Sequence, residues 1–212
     1  MPVERRDDEI RVSAPLTAED VAELRAGDHV RFYGTMYTAR DAAHRRMLAA
    51  ADKGEPLPVD IKGQIIYYVG PTPPRPGRVI GSAGPTTSMR MDPFTPRLLE
   101  LGLKLIIGKG GRGPVVRQAL QDNKAVYCLA IGGAGALLSK SIKSVDVIAY
   151  EDLGTESIKR LEVEGFAAIV ACDMHGGDLL QQGKEEWRDQ EKLGSYQPIG
   201  TAKAGDHNGG GS

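Results

Sequence analysis

The residues that most suggest chemistry lie in one stretch, 81–92, which reads GSAGPTTSMRMD. The glycines and the proline in its first half let the backbone turn tightly and come close to a ligand. Two hydroxyl residues follow, Thr86 and Thr87, and Arg90 comes four residues after the first of them. A cation and hydroxyls on a tight loop suit an anionic ligand. An ordinary Gly/Pro turn with a capping threonine has the same composition and remains an alternative.

The elements predicted around this stretch favour the anion site. The pattern indicates the end of a short strand at residues 79–80 and a helix over 93–103, whose apolar residues recur at helical spacing. A loop between a strand and a helix exposes backbone N–H groups at the positive end of the helix dipole. The loop would therefore present donors to an anion.

Two further cations stand at predicted element boundaries. Arg40 begins a helix predicted over 39–48, where a cation opposes the helix dipole unless an anion joins it. Lys109 follows a predicted buried strand over 105–107. If these two residues converge with Arg90, they form a site for a small dianion such as a dicarboxylate. The three cations would leave positive charge near the threonines, and an alcohol needs such neighbours to act as a base.

Other motifs are weaker. Lys109 lacks the phosphate-loop spacing, because Gly110 follows it where Ser or Thr is required. The glycines at 132–135 match a dinucleotide loop loosely, since Leu138 occupies the third glycine position. His44 is predicted to be a packed helix residue rather than a catalytic one. The turn at 173–178 contains carboxylates and a histidine, and we predict a solvated turn there rather than a metal site.

Length and composition describe a globular protein with one well-formed core. The chain has 212 residues, of which 41% are hydrophobic and 26% charged. Its formal net charge of -1 at pH 7 argues against a general nucleic-acid binder, which normally carries a basic excess. No apolar run suits a membrane span, and no signal-peptide core follows the charged start. We therefore expect a cytoplasmic protein that binds neither nucleic acid nor membrane.

The order of elements predicts an α/β layered fold, a sheet with flanking helices. Predicted strands cover 64–69, 105–107, 125–131, 144–150 and 166–172, and predicted helices cover 114–120 and 154–163. We expect a catalytic domain over 1–183 and a polar, flexible tail over 184–212. Cys128 and Cys172 lie in separate apolar runs, which favours buried free thiols over a disulfide.

Four motifs in this order resemble the class I fumarate hydratases. They are RDAAH at 40–44, YYVGP at 67–71, SAGPTT at 82–87 with RMD at 90–92, and IGKG at 107–110. The similarity is to the β subunit, which matches the C-terminal domain of the single-chain enzymes, and it covers roughly residues 10–180. The β subunits of L-tartrate dehydratases share the pattern. One departure is Met89, where the family tends to have a small residue.

The resemblance implies a swivelling β/β/α domain and a role for each site residue. Thr86 resembles the family's proposed base, which removes the C3 proton of malate. Thr87 would be a supporting, substrate-binding hydroxyl, and it stays open as the alternative base. Arg90 and Lys109 resemble cations that bind the substrate carboxylates and stabilise the intermediate, and Arg40 resembles a substrate-binding cation. No residue of this chain is expected to bind a metal.

The resemblance also implies a cofactor and a partner. A four-iron–four-sulfur cluster would be held by an α subunit and act there as a Lewis acid, in a heteromer expected to be α2β2. The implied reaction is the reversible hydration of fumarate to L-malate. Two alternatives stay open, a dehydratase of another hydroxy-diacid such as tartrate and a non-catalytic anion-binding module.

Overall fold

A computed structural model describes residues 1–6 and 9–189 together with Gly194. The described strands are β1 to β8, at Val3–Arg6, Glu9–Val12, His29–Thr38, Ile65–Tyr67, Leu105–Gly108, Val126–Leu129, Ile142–Ala149 and Ile158–Cys172. The α-helices are α1 to α6, at Ala18–Ala22, Asp41–Asp52, Thr95–Glu100, Pro114–Asp122, Gly135–Leu138 and Leu179–Glu186. Short 3₁₀ helices cover Ser88–Met91, Ser139–Ser141 and Glu151–Glu156.

The eight described strands form one mixed sheet in the order β1-β2-β3-β4-β5-β6-β8-β7. Strands β3, β4, β5 and β6 run parallel to one another, whereas β8 is antiparallel to β3, β6 and β7. Strand β3 also pairs with β8, so β3, β4, β5, β6 and β8 form a closed ring of hydrogen-bonded strands. The predicted layered α/β fold is confirmed.

The two faces of the parallel strands bury separate hydrophobic clusters. Because side chains alternate along a strand, Tyr67 and Ile107 belong to one cluster, whereas their neighbours Tyr68 and Ile106 belong to the other. The second cluster also contains residues of α2, α3 and α4, such as Met47. The three helices therefore cover one face of the sheet, and the alternation holds the strand ends in a defined orientation.

Local sequence signals place several helix ends correctly. Thr17 caps α1, its hydroxyl accepting from the Asp20 N–H at 3.2 Å, while the Asp20 carboxylate accepts from the Thr17 N–H at 2.8 Å. Pro114 opens α4 at a position where its missing N–H costs no helical hydrogen bond. Arg40 is the N-terminal capping residue of α2.

The predicted helix over 154–163 is wrong. That segment contains the end of a 3₁₀ helix and the first part of β8, which runs fifteen residues from Ile158 to Cys172. Its helix-compatible composition is overridden because β8 pairs with three other strands, which bury Leu161, Val163 and Phe166. The predicted strand end at 79–80 is also wrong, since those residues lie in the irregular connection between β4 and β5.

Both cysteines are buried and unpaired, as predicted. Cys128 and Cys172 belong to different hydrophobic clusters, and burial raises the pKa of both thiols. Over the ranges that the structure describes, no helix combines the length and the apolar character needed to cross a bilayer.

The chain divides into two compact units, Met1–Leu180 and Gln181–Ser212. The predicted division into a catalytic domain over 1–183 and a flexible tail over 184–212 stays a prediction, because most of that tail lies outside the described residues.

Candidate functional site

The predicted site residues gather at the carboxyl ends of three adjacent parallel strands. Arg40 comes two residues after β3, and Lys109 comes directly after β5. Thr86, Thr87 and Arg90 lie in the connection that leaves β4 and returns to β5. The carboxyl edge of a parallel sheet is where α/β proteins commonly bind ligands. Segments far apart in the sequence therefore meet at one edge.

Backbone hydrogen bonds fix the threonine loop to the two strands beneath it. The Thr86 N–H donates to the Tyr68 carbonyl at 2.7 Å, and the Thr86 carbonyl accepts from the Lys109 N–H at 3.2 Å. The Lys109 carbonyl in turn accepts from the Ser88 N–H at 2.9 Å. This pattern pairs Thr87 with Lys109 as a parallel bridge. The loop is thus an extension of the sheet, with Thr86 half-buried and Thr87 exposed.

Gly108 makes this close approach possible. A Cβ atom at position 108 would lie 2.0 Å from Ser88 Oγ and 3.3 Å from the Tyr68 ring. A side chain there would displace the Ser88 hydroxyl from its place against β5. The glycine before Lys109 therefore has a steric role that its place in the sequence did not reveal.

Arg40 and Arg90 are brought together by an acidic residue that the sequence interpretation missed. Asp41 accepts from Arg90 through Oδ1, at 3.1 Å from Nε and 3.0 Å from Nη2, and lies 3.4 Å from Arg40 Nη2 through Oδ2. Arg40 Nη2 also lies 3.3 Å from Glu156 Oε1, while the other oxygen of Glu156 accepts from the Ala42 N–H at 3.1 Å. The start of α2, the 3₁₀ helix at Glu151–Glu156 and the threonine loop therefore share one ion-pair network.

This network changes the charge balance expected from the sequence. Arg40, Arg90 and Lys109 supply three positive charges, but Asp41 and Glu156 supply two negative charges beside the arginines. The charges of these four network residues cancel, so of the three positive charges expected only that of Lys109, outside the network, remains uncompensated in this count. Arg90 has a side chain that is 53% exposed, so it can exchange Asp41 for a ligand carboxylate. Arg40 is only 17% exposed and is held more firmly.

Lys109 lies beside the glycine-rich segment that follows β6. A Cβ atom added to Gly132 would lie 3.6 Å from Lys109 Cδ, so the glycine-rich segment after β6 passes close to the lysine stem. That segment had been predicted to provide close helix–strand packing. A further contact is the Gly135 carbonyl, which accepts from the Ala83 N–H at 3.1 Å. The glycines allow this segment to lie against the loop and the lysine.

His44 is a packed residue, as predicted. It is fully buried, its ring lies edge-on to Tyr68 at 5.2 Å and near Phe94 at 6.1 Å, and neither ring nitrogen has a hydrogen-bond partner among the described residues. Burial lowers the pKa of His44 to about 3, and the Arg112 charge nearby acts in the same direction. The ring is therefore neutral in the folded protein at neutral pH.

This burial predicts a loss of stability in mild acid. The unfolded histidine binds a proton near pH 6.5, whereas the folded one resists protonation down to about pH 3, so stability is full above pH 6.5 and falls as the pH drops below it. Between pH 7 and pH 5 the contribution of His44 should fall by about 2 kcal/mol. Urea denaturation of wild type and His44→Phe at both pH values measures it.

The control is His29→Gln, because His29 is exposed on β3. That variant should keep the wild-type difference between pH 7 and pH 5, whereas His44→Phe should lose less stability over the same interval. Equal losses in wild type and His44→Phe would show that the folded protein accepts a proton at position 44.

The structure confirms a turn at 173–178 with His175 and Gly176 exposed, whereas its first residue departs from the prediction of a solvated surface. Asp173 is buried, and its carboxylate accepts from the N–H groups of Ala26, His175 and Gly177, each at 2.8 Å. The acidic residue therefore organises the turn. Over the part of the chain that the structure describes, no three His, Cys, Asp or Glu side chains are grouped so that they could hold a metal ion.

The comparisons with known proteins place this chain in a family. Residues 2–183 match the family model described as "Fumarase C-terminus". The chain is 37% identical over 175 residues to "Putative fumarate hydratase class I" of Geobacillus stearothermophilus, covering 80% of this chain but 33% of that protein. The chain thus spans about a third of the length of that relative.

Two relatives of similar length carry another name. The chain is 34% identical over 179 residues to "L(+)-tartrate dehydratase subunit beta" of Escherichia coli K12, covering 82% of this chain and 88% of the relative. It is 38% identical over 173 residues to the corresponding "Putative L(+)-tartrate dehydratase subunit beta" of Methanocaldococcus jannaschii, covering 79% and 89%. With its sheet-edge site and these matches along most of its length, the chain belongs to the fumarase C-terminus family.

Proposed function

We propose that this chain is the β subunit of a hydro-lyase that reversibly hydrates fumarate to L-malate. The observation that carries the proposal is the meeting of Thr86, Arg90 and Lys109 with Arg40 at one edge of the sheet, in a chain of this family. Relatives named as a fumarate hydratase and as tartrate dehydratase subunits support a hydro-lyase acting on a small hydroxy-diacid.

The cations account for substrate binding. The exposed Arg90 guanidinium and the Lys109 ammonium project from segments joined by the Thr87–Lys109 bridge. A carboxylate that replaces Asp41 on Arg90 would gain charge-assisted hydrogen bonds of suitable geometry. When the C3 proton leaves malate, negative charge spreads onto the adjacent carboxylate, and fixed cations stabilise that aci-carboxylate more than the ground state.

Thr86 is proposed as the group that removes this proton, with Thr87 as a supporting hydroxyl. The backbone of Thr86 is held by hydrogen bonds to Tyr68 and Lys109, so its position relative to the lysine is defined. Nearby cations lower the free energy of an alkoxide relative to the alcohol. Proton transfer by a positioned side chain is a large contribution to catalysis in general.

The iron–sulfur cluster implied by the resemblance does not fit this chain. Cys128 and Cys172 are buried in different clusters and are not grouped with other metal ligands among the described residues. We therefore propose that a partner α subunit holds the cluster and completes the active site, in an α2β2 assembly located in the cytoplasm. The relatives named as subunit beta support the existence of a partner.

Exposed apolar side chains beside the site support a partner surface. Met89 lies next to Arg90, Val79 lies in the connection after β4, and Ile131 and Leu137 follow β6. Their exposed fractions are 61%, 50%, 64% and 64%, respectively. An apolar side chain exposed next to a site residue, as Met89 is beside Arg90, suits contact with a partner subunit.

The test is reconstitution. The chain purified without its partner should be colourless and should not hydrate fumarate, because the described residues offer no ligand set for a cluster. Addition of a cluster-bearing α subunit under anaerobic conditions should produce activity, measured as fumarate absorbance. Fumarate hydration by the pure, metal-free chain would contradict this prediction.

A second candidate is L-tartrate dehydratase activity, favoured because the tartrate dehydratase β subunits match this chain over 88% and 89% of their length. Both reactions need cations for two carboxylates and a base, so this arrangement suits either substrate. Parallel assays of one reconstituted preparation on L-malate, fumarate and L-tartrate separate the two. A reconstituted complex that binds dicarboxylates and turns over none of them would identify the third alternative, a non-catalytic anion-binding module.

A further inference from the structure

Two loops carry the proposed catalytic residues, and α3 and β5 lie between them in the chain. Residues 86–92 contain Thr86 and Arg90, whereas residues 108–113 contain Lys109. The backbone bonds around Lys109 join the loops at one point. Catalysis by three groups on two loops requires that their separation be fixed to a fraction of an ångström.

Tyr127 of β6 is hydrogen-bonded to both loops. Its hydroxyl lies 2.9 Å from Ser88 Oγ in the first loop and donates to the Gly110 carbonyl in the second at 2.8 Å. One hydroxyl hydrogen can be donated once, so its oxygen accepts from Ser88 when it donates to Gly110. Burial raises the pKa of Tyr127, so the hydroxyl stays protonated across the working pH range.

Arg112 makes a second connection between the same loops. Its Nε donates to Asp92 Oδ1 at 2.9 Å and its Nη2 donates to Thr95 Oγ1 at 2.6 Å. The other Asp92 oxygen accepts from the Gly113 N–H at 2.8 Å, which ties the first loop to the start of α4. The guanidinium carbon lies 5.0 Å from the centre of the Tyr127 ring and 5.5 Å from that of Tyr68.

Burying these polar groups costs desolvation free energy that an apolar core would not require. The Arg112 side chain is 0% exposed, and its Nη1 has no hydrogen-bond partner among the described residues. Replacing a buried ion pair by apolar side chains of similar size is often neutral or stabilising. Hydrogen bonds are directional, so they fix one geometry between the groups that they join, whereas apolar contacts do not.

We propose that Tyr127 and Arg112 are positioning residues, which hold Thr86 and Arg90 at a fixed distance from Lys109 through Ser88, Gly110 and Asp92. The proposal rests on the proposed function for the roles of the three site residues. Neither Tyr127 nor Arg112 touches the reacting groups in this assignment. Both act through the two loops.

The test uses the full chain assembled with its partner. Tyr127→Phe removes one hydroxyl and keeps the ring under Arg112, so kcat should fall about 10- to 100-fold, the range expected for misplacement of catalytic groups by up to about 1 Å. KM should change less than kcat, because contacts made mainly in the transition state are the most sensitive to misplaced groups. The matched control is Tyr33→Phe, which removes a hydroxyl that donates to Glu9 at 2.9 Å, away from both loops; it should leave kcat unchanged.

Two readouts separate positioning from general stability. In a Lys109→Ala background, adding Tyr127→Phe should lower kcat by less than about twofold, because the tyrosine then has no lysine to position. Backbone hydrogen exchange should accelerate at Lys109 and Ser88 in Tyr127→Phe, and stay at the wild-type rate at Ile106 in β5. The exchange measurement needs no substrate, so it tests the link between the loops even if the complex does not hydrate fumarate.

The opposite results would overturn the proposal. They are a wild-type kcat in Tyr127→Phe, an undiminished effect of Tyr127→Phe in the Lys109→Ala background, or unchanged exchange at Lys109 and Ser88. If Tyr127→Phe does not assemble, Ser88→Ala removes the same contact from the other side and carries the same expectations. Arg112→Lys keeps the charge but loses the forked contacts to Asp92 and Thr95, and should likewise lower kcat more than it changes KM.

Discussion

The Thr86→Val enzyme, reconstituted with its partner subunit, is expected to turn over about 10²- to 10⁴-fold more slowly than wild type, with KM and assembly little changed. Valine keeps the shape of threonine and removes the oxygen that would accept the C3 proton. The hydrogen bonds that hold position 86 come from the backbone, to Tyr68 and from Lys109, so the loop should keep its place. The loss therefore reports on chemistry and not on the fold.

Two matched variants and an isotope measurement complete this experiment. Thr86→Ser retains a hydroxyl and should retain part of the rate, while Thr87→Val should have a smaller effect than Thr86→Val, because Thr87 is proposed only as support. Exchange of the malate C3 proton with solvent deuterium should be lost in Thr86→Val. Exchange at the wild-type rate would assign the base to Thr87 or to a group of the partner.

Removal of the cations is the second large effect. Arg90→Ala and Lys109→Ala should each lower kcat/KM by about 10- to 100-fold or more, because a hydrogen bond to a charged group typically contributes about 1.5–3 kcal/mol. Arg40→Ala should lower kcat/KM similarly. It should also lower the free energy of unfolding, because the carboxylates of Glu156 and Asp41 lose the positive charge of Arg40. Steady-state kinetics of each reconstituted variant, with unfolding curves, provide both quantities.

Arg45→Ala is the control for these three variants. Arg45 lies on α2 like its near neighbour Asp41, but it is exposed and takes no part in the described network of Arg40, Asp41, Arg90 and Glu156. Its removal should change kcat/KM by less than about twofold, because an exposed charge acts weakly through solvent. Equal losses of kcat/KM in Arg45→Ala and Arg90→Ala would mean that kcat/KM responds to the net charge of the protein. The roles assigned to the three cations would then be wrong.

Local signals in the sequence indicate those features of the fold that depend on neighbouring residues. The capping box of Thr17 and Asp20, the proline that opens α4 and the buried strand before Lys109 involve residues a few positions apart, so the amino-acid types alone indicate them. The order of the motifs around Arg40, Thr86, Arg90 and Lys109 in the sequence was enough to indicate the family.

The sequence also misled where long-range pairing opposed local preference. Residues 154–163 have a composition that suits a helix, yet most of them enter β8, because pairing with β3 and β7 satisfies their backbone groups and buries their apolar side. Helix propensities are worth well under 1 kcal/mol per residue for most residue types. Burial of a single large apolar side chain is worth about 1.5–3 kcal/mol, so tertiary contacts prevail.

The contacts that hold the site together were decided by tertiary structure alone. Asp41 is adjacent to Arg40 in the sequence, but its contact with Arg90 spans 49 positions, and Glu156 reaches the start of α2 across 114. Arg112 and Tyr127 drew no attention in the sequence, and only the fold brings them into contact with both loops. The amino-acid sequence determined which chemical groups are present and the elements that carry them. Their separations and charge partners depend on how the parallel strands stack, because that alone brings residues from distant segments to the same edge of the sheet.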